Sequence, residues 1–329
     1  MRGKLGISIL VIICLSVFAG YSFAEEKFPT HPVYMIVGHN PGGAIDLSAR
    51  ALAMVAGEYL NDQPLVVVNK PGAQTMLAAK FVASSKPDGH ILLMGWGGST
   101  HVFRAHIAKM PVDVFKDFKP VISVTKLSGC LAVPANSPFK NLNDLVSHAR
   151  KHPGKLSWTY PGGKGIHYIN GRDFIRATKI DVTEIPYSGG VGARNAVAGG
   201  HVDYGLFATF LAPEMVAAAK IRVLGICTEE RSPLFPDFPT FDEQGYDIIN
   251  DIGGQIVAAP AGTPDWKIRI LHDAFKKCME HKAFKAFLEK VGMEPNYLGP
   301  EDALKSAREL DQKYAKLIEQ VGIEVFRAK

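Results

Sequence analysis

Between Val33 and Arg50 the chain reads VYMIVGHNPGGAIDLSAR, and no other stretch constrains the fold as much. Val33-Tyr34-Met35-Ile36-Val37 is short, rich in β-branched residues and ended by a turn signal, the pattern of a buried strand. Gly38 to Gly43 reads as a loop. From Ala44 to Leu60, the apolar residues Leu47, Ala51, Met54, Val55 and Leu60 recur at helical spacing. The unit is therefore strand, glycine turn, helix. Glycine lets a ligand approach the backbone closely. The first N–H groups of the helix have no acceptor within it and face the turn, where an anion would satisfy them. A plainer reading stands beside this one: Pro41-Gly42-Gly43 is an ordinary loop, and Asp46 caps helix N–H groups.

The same unit recurs, as architecture and not as an exact repeat. Leu65–Val68 reads as a second strand and Met76–Ser84 as a helix. Ile91–Met94 is a third strand, running into Gly95-Trp96-Gly97-Gly98-Ser99-Thr100. This β-α-β-α-β order implies a parallel sheet with right-handed crossovers. Val121–Val133 is an apolar, strand-like crossing. Beyond it, Leu156–Thr159 enters Tyr160-Pro161-Gly162-Gly163-Lys164-Gly165, and Val182–Ile185 ends in Pro186-Tyr187-Ser188-Gly189-Gly190. Helices follow each, to about Ala177 and Ala198, and further strands span Val202–Phe207 and Val223–Cys227. A strand at Gln255–Ala259 and amphipathic helices near Asp265–Val291 and Pro300–Gln320 complete the pattern. Glycine loops at the carboxyl ends of strands are where open α/β sheets bind ligands. The expected division is one domain of residues 25–125 with 252–329, and a second of 126–251.

The first residues read as a signal peptide, 1–24. Arg2 and Lys4 supply the positive region, Ile7–Ala19 the apolar one, and Ser22-Phe23-Ala24 puts small residues where cleavage after Ala24 needs them. The apolar run is short for a membrane span, so an exported, periplasmic protein is expected. Losing Arg2 and Lys4 lowers the net charge by two, from +5 to +3, too mild to argue for nucleic acid. It is compatible with drawing small anions towards a cleft. Cys14 leaves with the signal. Cys130, Cys227 and Cys278 are too few and too far apart for a disulfide framework or a zinc site.

Several chemistries lack their motifs. Gly163-Lys164-Gly165 has neither the spacing nor the Ser/Thr of a P-loop. There is no G-x-G-x-x-G after a strand, no G-x-S-x-G elbow, and no metal-ligand pattern among eleven histidines. No catalytic residue, metal or cofactor is expected, although catalytic groups distant in sequence leave no local motif.

Taken in order, these motifs are similar to those of the extracytoplasmic receptors of tripartite tricarboxylate transporters, the Bug or TctC-like family. The matching stretches are Pro41-Gly42-Gly43 through Arg50, Asn69-Lys70-Pro71-Gly72-Ala73, Lys86-Pro87-Asp88-Gly89 and Asp117-Phe118-Lys119-Pro120-Val121. They continue in Pro186-Tyr187-Ser188-Gly189-Gly190, Gly199-Gly200-His201-Val202-Asp203, Arg231-Ser232 to Asp237-Phe238-Pro239-Thr240, and Ala259-Pro260-Ala261-Gly262-Thr263-Pro264. Each is weak alone; the ordered set is specific.

The resemblance implies two α/β domains of the periplasmic-binding-protein kind, each a mostly parallel sheet flanked by helices, closing on a ligand like a flytrap. It implies a monomeric receptor that hands a small organic carboxylate to the membrane components of a transporter. The ligand-binding positions it implies are Asn40, Pro41, Gly42, Gly43, Ala44 and Asp46 in the first loop. Trp96, Gly97, Gly98, Ser99 and Thr100 form the second, and Tyr160, Gly162, Gly163, Lys164 and Gly165 the third, with Ser188 and Asp203 beside them. Backbone N–H groups are expected to hold the carboxylate without a dedicated arginine. Trp96 is either a flat apolar wall for the ligand or a hinge or core residue, and Lys164 either a ligand charge or a solvated side chain. The sequence departs from the family where His39-Asn40 replace an apolar pair, where Ser188 replaces a common lysine, and around Tyr160–His167, where a hydroxyl and a histidine are replaced or displaced. These departures bear on the ligand rather than on the fold. Two other classes compete: a partner of a membrane sensor, and an exported enzyme acting on an organic acid.

Overall fold

The structure, a computed structural model, describes residues 27–98, 100–162, 165–248 and 253–322. The expected signal peptide with its cleavage point, and Ser99, Gly163 and Lys164, lie outside the described residues.

In chain order the first elements are β1 (Val33–Val37), α1 (Ala44–Ala53), β2 (Leu65–Asn69), α2 (Met76–Ala83), β3 (Ile91–Trp96), α3 (Val102–Ile107) and β4 (Phe118–Lys126). Next come β5 (Gly129–Pro134), α4 (Leu142–Lys151), β6 (Leu156–Thr159), α5 (Ile166–Thr178), β7 (Val182–Glu184), α6 (Gly189–Ala198), β8 (Tyr204–Ala208), α7 (Pro213–Ala217) and β9 (Ile221–Ile226). The chain ends with β10 (Gly254–Pro260), α8 (Asp265–Glu280), α9 (Lys282–Lys290), β11 (Glu294–Leu298) and α10 (Pro300–Gln320).

These strands form two sheets, ordered β11-β4-β10-β3-β1-β2 and β7-β6-β8-β5-β9. β1 lies between β2 and β3, parallel to both, with Val33 opposite Leu65 and Ile36 opposite Leu93. β10 runs antiparallel between β3 and β4, and β5 antiparallel between β8 and β9. β11 also runs antiparallel to β4, so β10 and β11 oppose the other four strands of the first sheet, while in the second sheet β5 opposes the other four; both sheets are mixed rather than mostly parallel as expected. The apolar run expected as a single crossing is two strands, β4 ending one sheet and β5 entering the next, joined by Leu127-Ser128.

Both sheets are covered on both faces, which is why their strands read as continuous apolar runs. Side chains alternate along a strand. Met35 and Val37 therefore pack with Ile45 and Leu52 of α1, Phe275 of α8 and Phe284 of α9. Ile36 and Leu93 face the other way, towards Val82 of α2 and Leu310 and Tyr314 of α10. Full burial of one such side chain contributes about 1.5–3 kcal/mol. In the second sheet Leu131 and Trp158 pack with Leu145 of α4 and Phe174 of α5, while Cys130 and Phe207 pack with Val197 of α6. The cysteines Cys130, Cys227 and Cys278 are free and buried, behaving as small apolar side chains.

Three expectations are corrected. The first helix stops at Ala53, and a 3-10 turn at Ala56–Tyr59, containing Gly57, takes over. The long helix near Asp265–Val291 is two, because His281 is extended and its ring nitrogen accepts the Ala283 N–H, starting a new helix. β11, α3 and α7 are elements that periodicity did not indicate. Away from the strand ends that carry the glycine loops, Ser232 Oγ donates to Glu294, and Arg172 Nη2 donates to the Val321 carbonyl at 3.2 Å. Both contacts join segments packed on different sheets.

Candidate functional site

A cleft of about 470 Å³ opens between the two sheets at the carboxyl ends of their strands. Its rim is built from backbone. Gly42, Gly43 and Ala44 lead from β1 into α1, Gly165 and Ile166 open α5, and Gly189 and Gly190 open α6. None of these three helices has a side-chain cap at its N-terminus. Each leaves its first N–H groups without partners inside the helix and adds the positive end of its dipole. Three uncapped N-termini thus face one cleft, an arrangement whose donors and dipoles favour an anion.

Glycine is required at two of these positions. Gly42 has φ +83 and Gly189 φ +71, the left-handed region, and a Cβ at either would meet nothing within 4 Å. The requirement there is backbone conformation and not crowding.

Asp46 shows how the first loop keeps its shape. Its carboxylate is almost wholly buried, at 1% exposure. It accepts the Gly42 N–H at 2.9 Å, Arg50 Nε at 2.8 Å and Asn69 Nδ2 at 2.8 Å. Burial opposes its ionisation. The hydrogen bonds from Arg50, Gly42 and Asn69, with the Arg50 charge, outweigh that and hold the carboxyl below its ordinary range. Asn69 Nδ2 also donates to the His39 carbonyl at 3.0 Å, so one amide ties the loop to β2. Asp46 is expected either to cap helix N–H groups or to meet the ligand; these bonds instead hold the loop before α1, and Asp46 is not among the residues lining the cleft.

The other expected positions divide in the same way. Asn40, Gly42, Gly43, Ala44, Thr100, Gly162 and Gly165 line the cleft; Pro41, between Asn40 and Gly42, does not. The Gly162 N–H is already taken by the Tyr187 carbonyl at 2.7 Å. Trp96 is fully buried and donates Nε1–H to the Val114 carbonyl at 2.9 Å, a core position. Gly97 and Gly98 form the turn behind it, where the Gly97 carbonyl accepts from Thr100 and His101. Tyr160 packs against the rings of Trp158 and Tyr168, which also contact each other. Ser188 is the N-cap residue of α6 but makes no cap bond. Asp203 accepts from Ser157 N at 2.7 Å and Ser157 Oγ at 2.8 Å, pinning β8 to β6 outside the cleft.

The sequence reading missed His39, Arg104 and His167, and with Arg104 it missed an arginine in the cleft. All three line it, with Leu127, Val191 and Phe210 supplying apolar surface. Arg104 is 8% exposed. Burial lowers its pKa, but a guanidinium stays charged at any ordinary pH. His39 is held below its usual value by burial and then by the Arg104 charge. His167 is pushed down to about 4 by burial. Among the described residues, the cleft therefore carries the Arg104 cation, three helix termini and imidazoles whose protonation burial disfavours. The Asp46 carboxylate behind the first loop is matched by Arg50 at 2.8 Å. Among the described residues, no group of three His, Cys, Asp or Glu side chains is arranged to hold a metal, and no helix is long and apolar enough to cross a membrane.

Comparison with known proteins gives this architecture its relatives. The model of one family, described as tripartite tricarboxylate transporter family receptor, matches residues 48–323. The chain is 33% identical over 299 residues to the UPF0065 protein in the gbd 5′ region of Cupriavidus necator, covering 91% of this chain and 90% of that one. Among solved structures it is similar to R. palustris Rpa4515 with adipate, at 25% identity and TM-score 0.78, covering 90% of this chain and 99% of that one. It is also similar to MatC from Rhodopseudomonas palustris with bound malate, at 28% identity and TM-score 0.74, covering 89% and 100%.

Proposed function

The chain belongs to the tripartite tricarboxylate transporter receptor family, and from that premise we propose that it captures a small organic carboxylate on the three helix N-termini of the cleft. It is an extracytoplasmic solute-binding receptor and not an enzyme, as its family is. Its partners are an organic acid and the membrane components of a tripartite transporter. The observation that carries the ligand reading is the convergence of the uncapped N-termini of α1, α5 and α6, which offer N–H donors and dipole charge from both sheets. The adipate and malate in the two solved relatives are both organic acids, which supports it. The cleft volume of about 470 Å³ suits a ligand of that size.

In this reading the carboxylate meets the N–H groups that begin α1 and those that begin α5 and α6. Asp46 and Asp203 shape the loops without touching the ligand. Residues 25–125 with 252–329 move as one lobe and 126–251 as the other, about the passages at Leu127-Ser128 and after β9. The working protein is a periplasmic monomer, released by cleavage after Ala24.

A thermal-shift panel of mono-, di- and tricarboxylates, aromatic acids, acidic amino acids, sugars and amines on ligand-free protein tests the reading. Ligand at one hundred times its dissociation constant adds about 2.7 kcal/mol. Stabilisation by carboxylates, with compaction in solution scattering, is expected. Stabilisation by sugars or amines while no carboxylate acts would overturn it.

A further inference from the structure

The turn between β2 and α2 carries unusual backbone at the lip of the cleft. After Gly72 at φ +135, the residues Ala73, Gln74 and Thr75 lie at φ +44, +54 and +79, three successive non-glycine residues in the left-handed region. Residues other than glycine enter that region singly, and a β-branched residue such as threonine avoids it most. Among the described residues the one other successive pair, Asn61 and Asp62, is of types that tolerate the region and does not line the cleft. Strain of this kind persists only where the surroundings over-determine it, and it gathers at ligand sites.

Thr75 is fixed by the protein itself. It is buried, its N–H donates to the Gly72 carbonyl at 3.0 Å, and its Oγ1 lies 3.4 Å from His101 Nε2. His101 Nδ1 is 3.2 Å from the Gly95 carbonyl, which only accepts, so Nδ1 carries the proton and Nε2 accepts from the Thr75 hydroxyl. A Cβ on Gly38 would stand 2.8 Å from the Thr75 Cβ, so the glycine after β1 makes room for it. The ends of β1 and β3 thus clamp Thr75. Gln74 is not explained by that clamp. It is exposed, it lines the cleft beside Pro71 and Thr75, and among the described residues its amide makes no hydrogen bond.

Held between Gly72 and the clamped Thr75, Gln74 sits at φ +54 and ψ +51, so its side chain starts from a fixed point at the cleft. An amide offers two donors and one acceptor. A carboxylate uses only the donors, whereas a hydroxyl or an amino group can donate to the amide oxygen as well. A ligand in the cleft strips water from this amide, and an acceptor left unpaired then costs more than a formed bond gains. An acid with a hydroxyl or amino group on its carbon chain is the ligand that satisfies both halves.

We infer that Gln74 is a specificity residue of this cleft, held by the left-handed Gly72–Thr75 turn so that its amide reads a hydroxyl or amino substituent on the bound acid. The inference rests on the carboxylate-receptor reading above. Helix termini hold an acid group through backbone, which takes no account of the rest of the molecule, and the Gln74 amide adds discrimination along the carbon chain. Glycine at this position would adopt the same φ without steric penalty but would offer no amide, so the strained residue is the one that supplies chemistry. Such discrimination is asymmetric. A site that hydrogen-bonds a hydroxyl rejects the analogue lacking it more strongly than an apolar pocket rejects a missing methylene.

The test is titration calorimetry on the ligand-free receptor with matched pairs of straight-chain acids. Each pair has the same length and the same number of carboxylates, one member carrying a hydroxyl or amino group and the other none. In the best-bound pair the substituted acid is expected to bind wild type roughly tenfold more tightly. Gln74→Met keeps the side chain's length and the backbone's conformation, removes the amide, and abolishes that preference. Gln74→Gly abolishes it too, and because the left-handed strain is relieved its melting temperature equals or exceeds that of wild type. A lower melting temperature for Gln74→Gly makes Gln74 a support of the turn and overturns the inference. So does a preference that survives Gln74→Met or is missing from wild type. In each of these cases the carboxylate receptor stands. Failure of every carboxylate to bind overturns both.

Discussion

Replacing Asp46 with asparagine keeps the side chain's size and removes its charge, and the structure gives the consequence. Three donors converge on this carboxylate: Gly42 N–H at 2.9 Å, Arg50 Nε at 2.8 Å and Asn69 Nδ2 at 2.8 Å. The asparagine oxygen can accept from one side only, and its amide would meet another donor on the other. At least one bond to an ionised acceptor is lost, at about 1.5–3 kcal/mol. The ion pair adds little, about 0.5 kcal/mol, because the Arg50 side chain is 46% exposed and rehydrates. The total is a loss of about 2–3.5 kcal/mol at neutral pH, or about 3–5 °C in Tm for a protein of this size. The pH dependence follows from the sign of the shift. The Asp46 carboxyl titrates below its ordinary value of 3.8 in the folded protein. Its stabilisation is therefore fully present above the unfolded value and lost as pH falls through the folded one. Urea unfolding of wild type and Asp46→Asn should show a constant gap down to about pH 5, closing below about pH 4. Carboxylate affinity falls as well, since the freed loop must be ordered on binding. Equal stability at neutral pH, or a gap that persists unchanged to about pH 3, would refute the assignment of Asp46 as the loop's anchor.

Trp96→Phe removes the Nε1–Val114 bond and leaves a cavity, so a stability loss of about 2 kcal/mol is expected with ligand affinity unchanged, measured by chemical unfolding and calorimetry. A large affinity change without a stability change would instead make Trp96 part of the cleft wall. Gly189→Ala puts a side chain at φ +71 and a methyl group beside the α6 N–H groups. Strain of about 1–2 kcal/mol in thermal melts and roughly tenfold weaker carboxylate binding are expected. Unaltered binding would remove α6 from the anion site.

The fold was legible where local chemistry and tertiary context agree. Val33–Val37 and Ile91–Trp96 are apolar on both faces because helices cover both faces, and that leaves a continuous run in the sequence. β11 left no such trace. Glu294-Pro295-Asn296-Tyr297-Leu298 carries a proline and polar residues because it is an edge strand, paired on one side only. α3 is a six-residue helix containing arginine and histidine, too short to show a period. His281 ends one helix and begins another in a stretch whose apolar spacing continues across the break.

The site was half legible, and the division has a physical cause. Anion binding by helix termini uses backbone, and the backbone conformations it needs, such as φ +83 at Gly42, write glycine into the sequence. A side chain such as Arg104 reaches the cleft only because β3 carries α3 to the same edge of the sheet as the β1 loop, and nothing beside it in sequence records that placement. α1 belongs to one sheet and α5 and α6 to the other, so on the proposed reading an anion on all three termini would be bound better by a closed protein than by an open one. Only such differential affinity shifts a conformational equilibrium. On the proposed reading, the helix termini are what would drive closure.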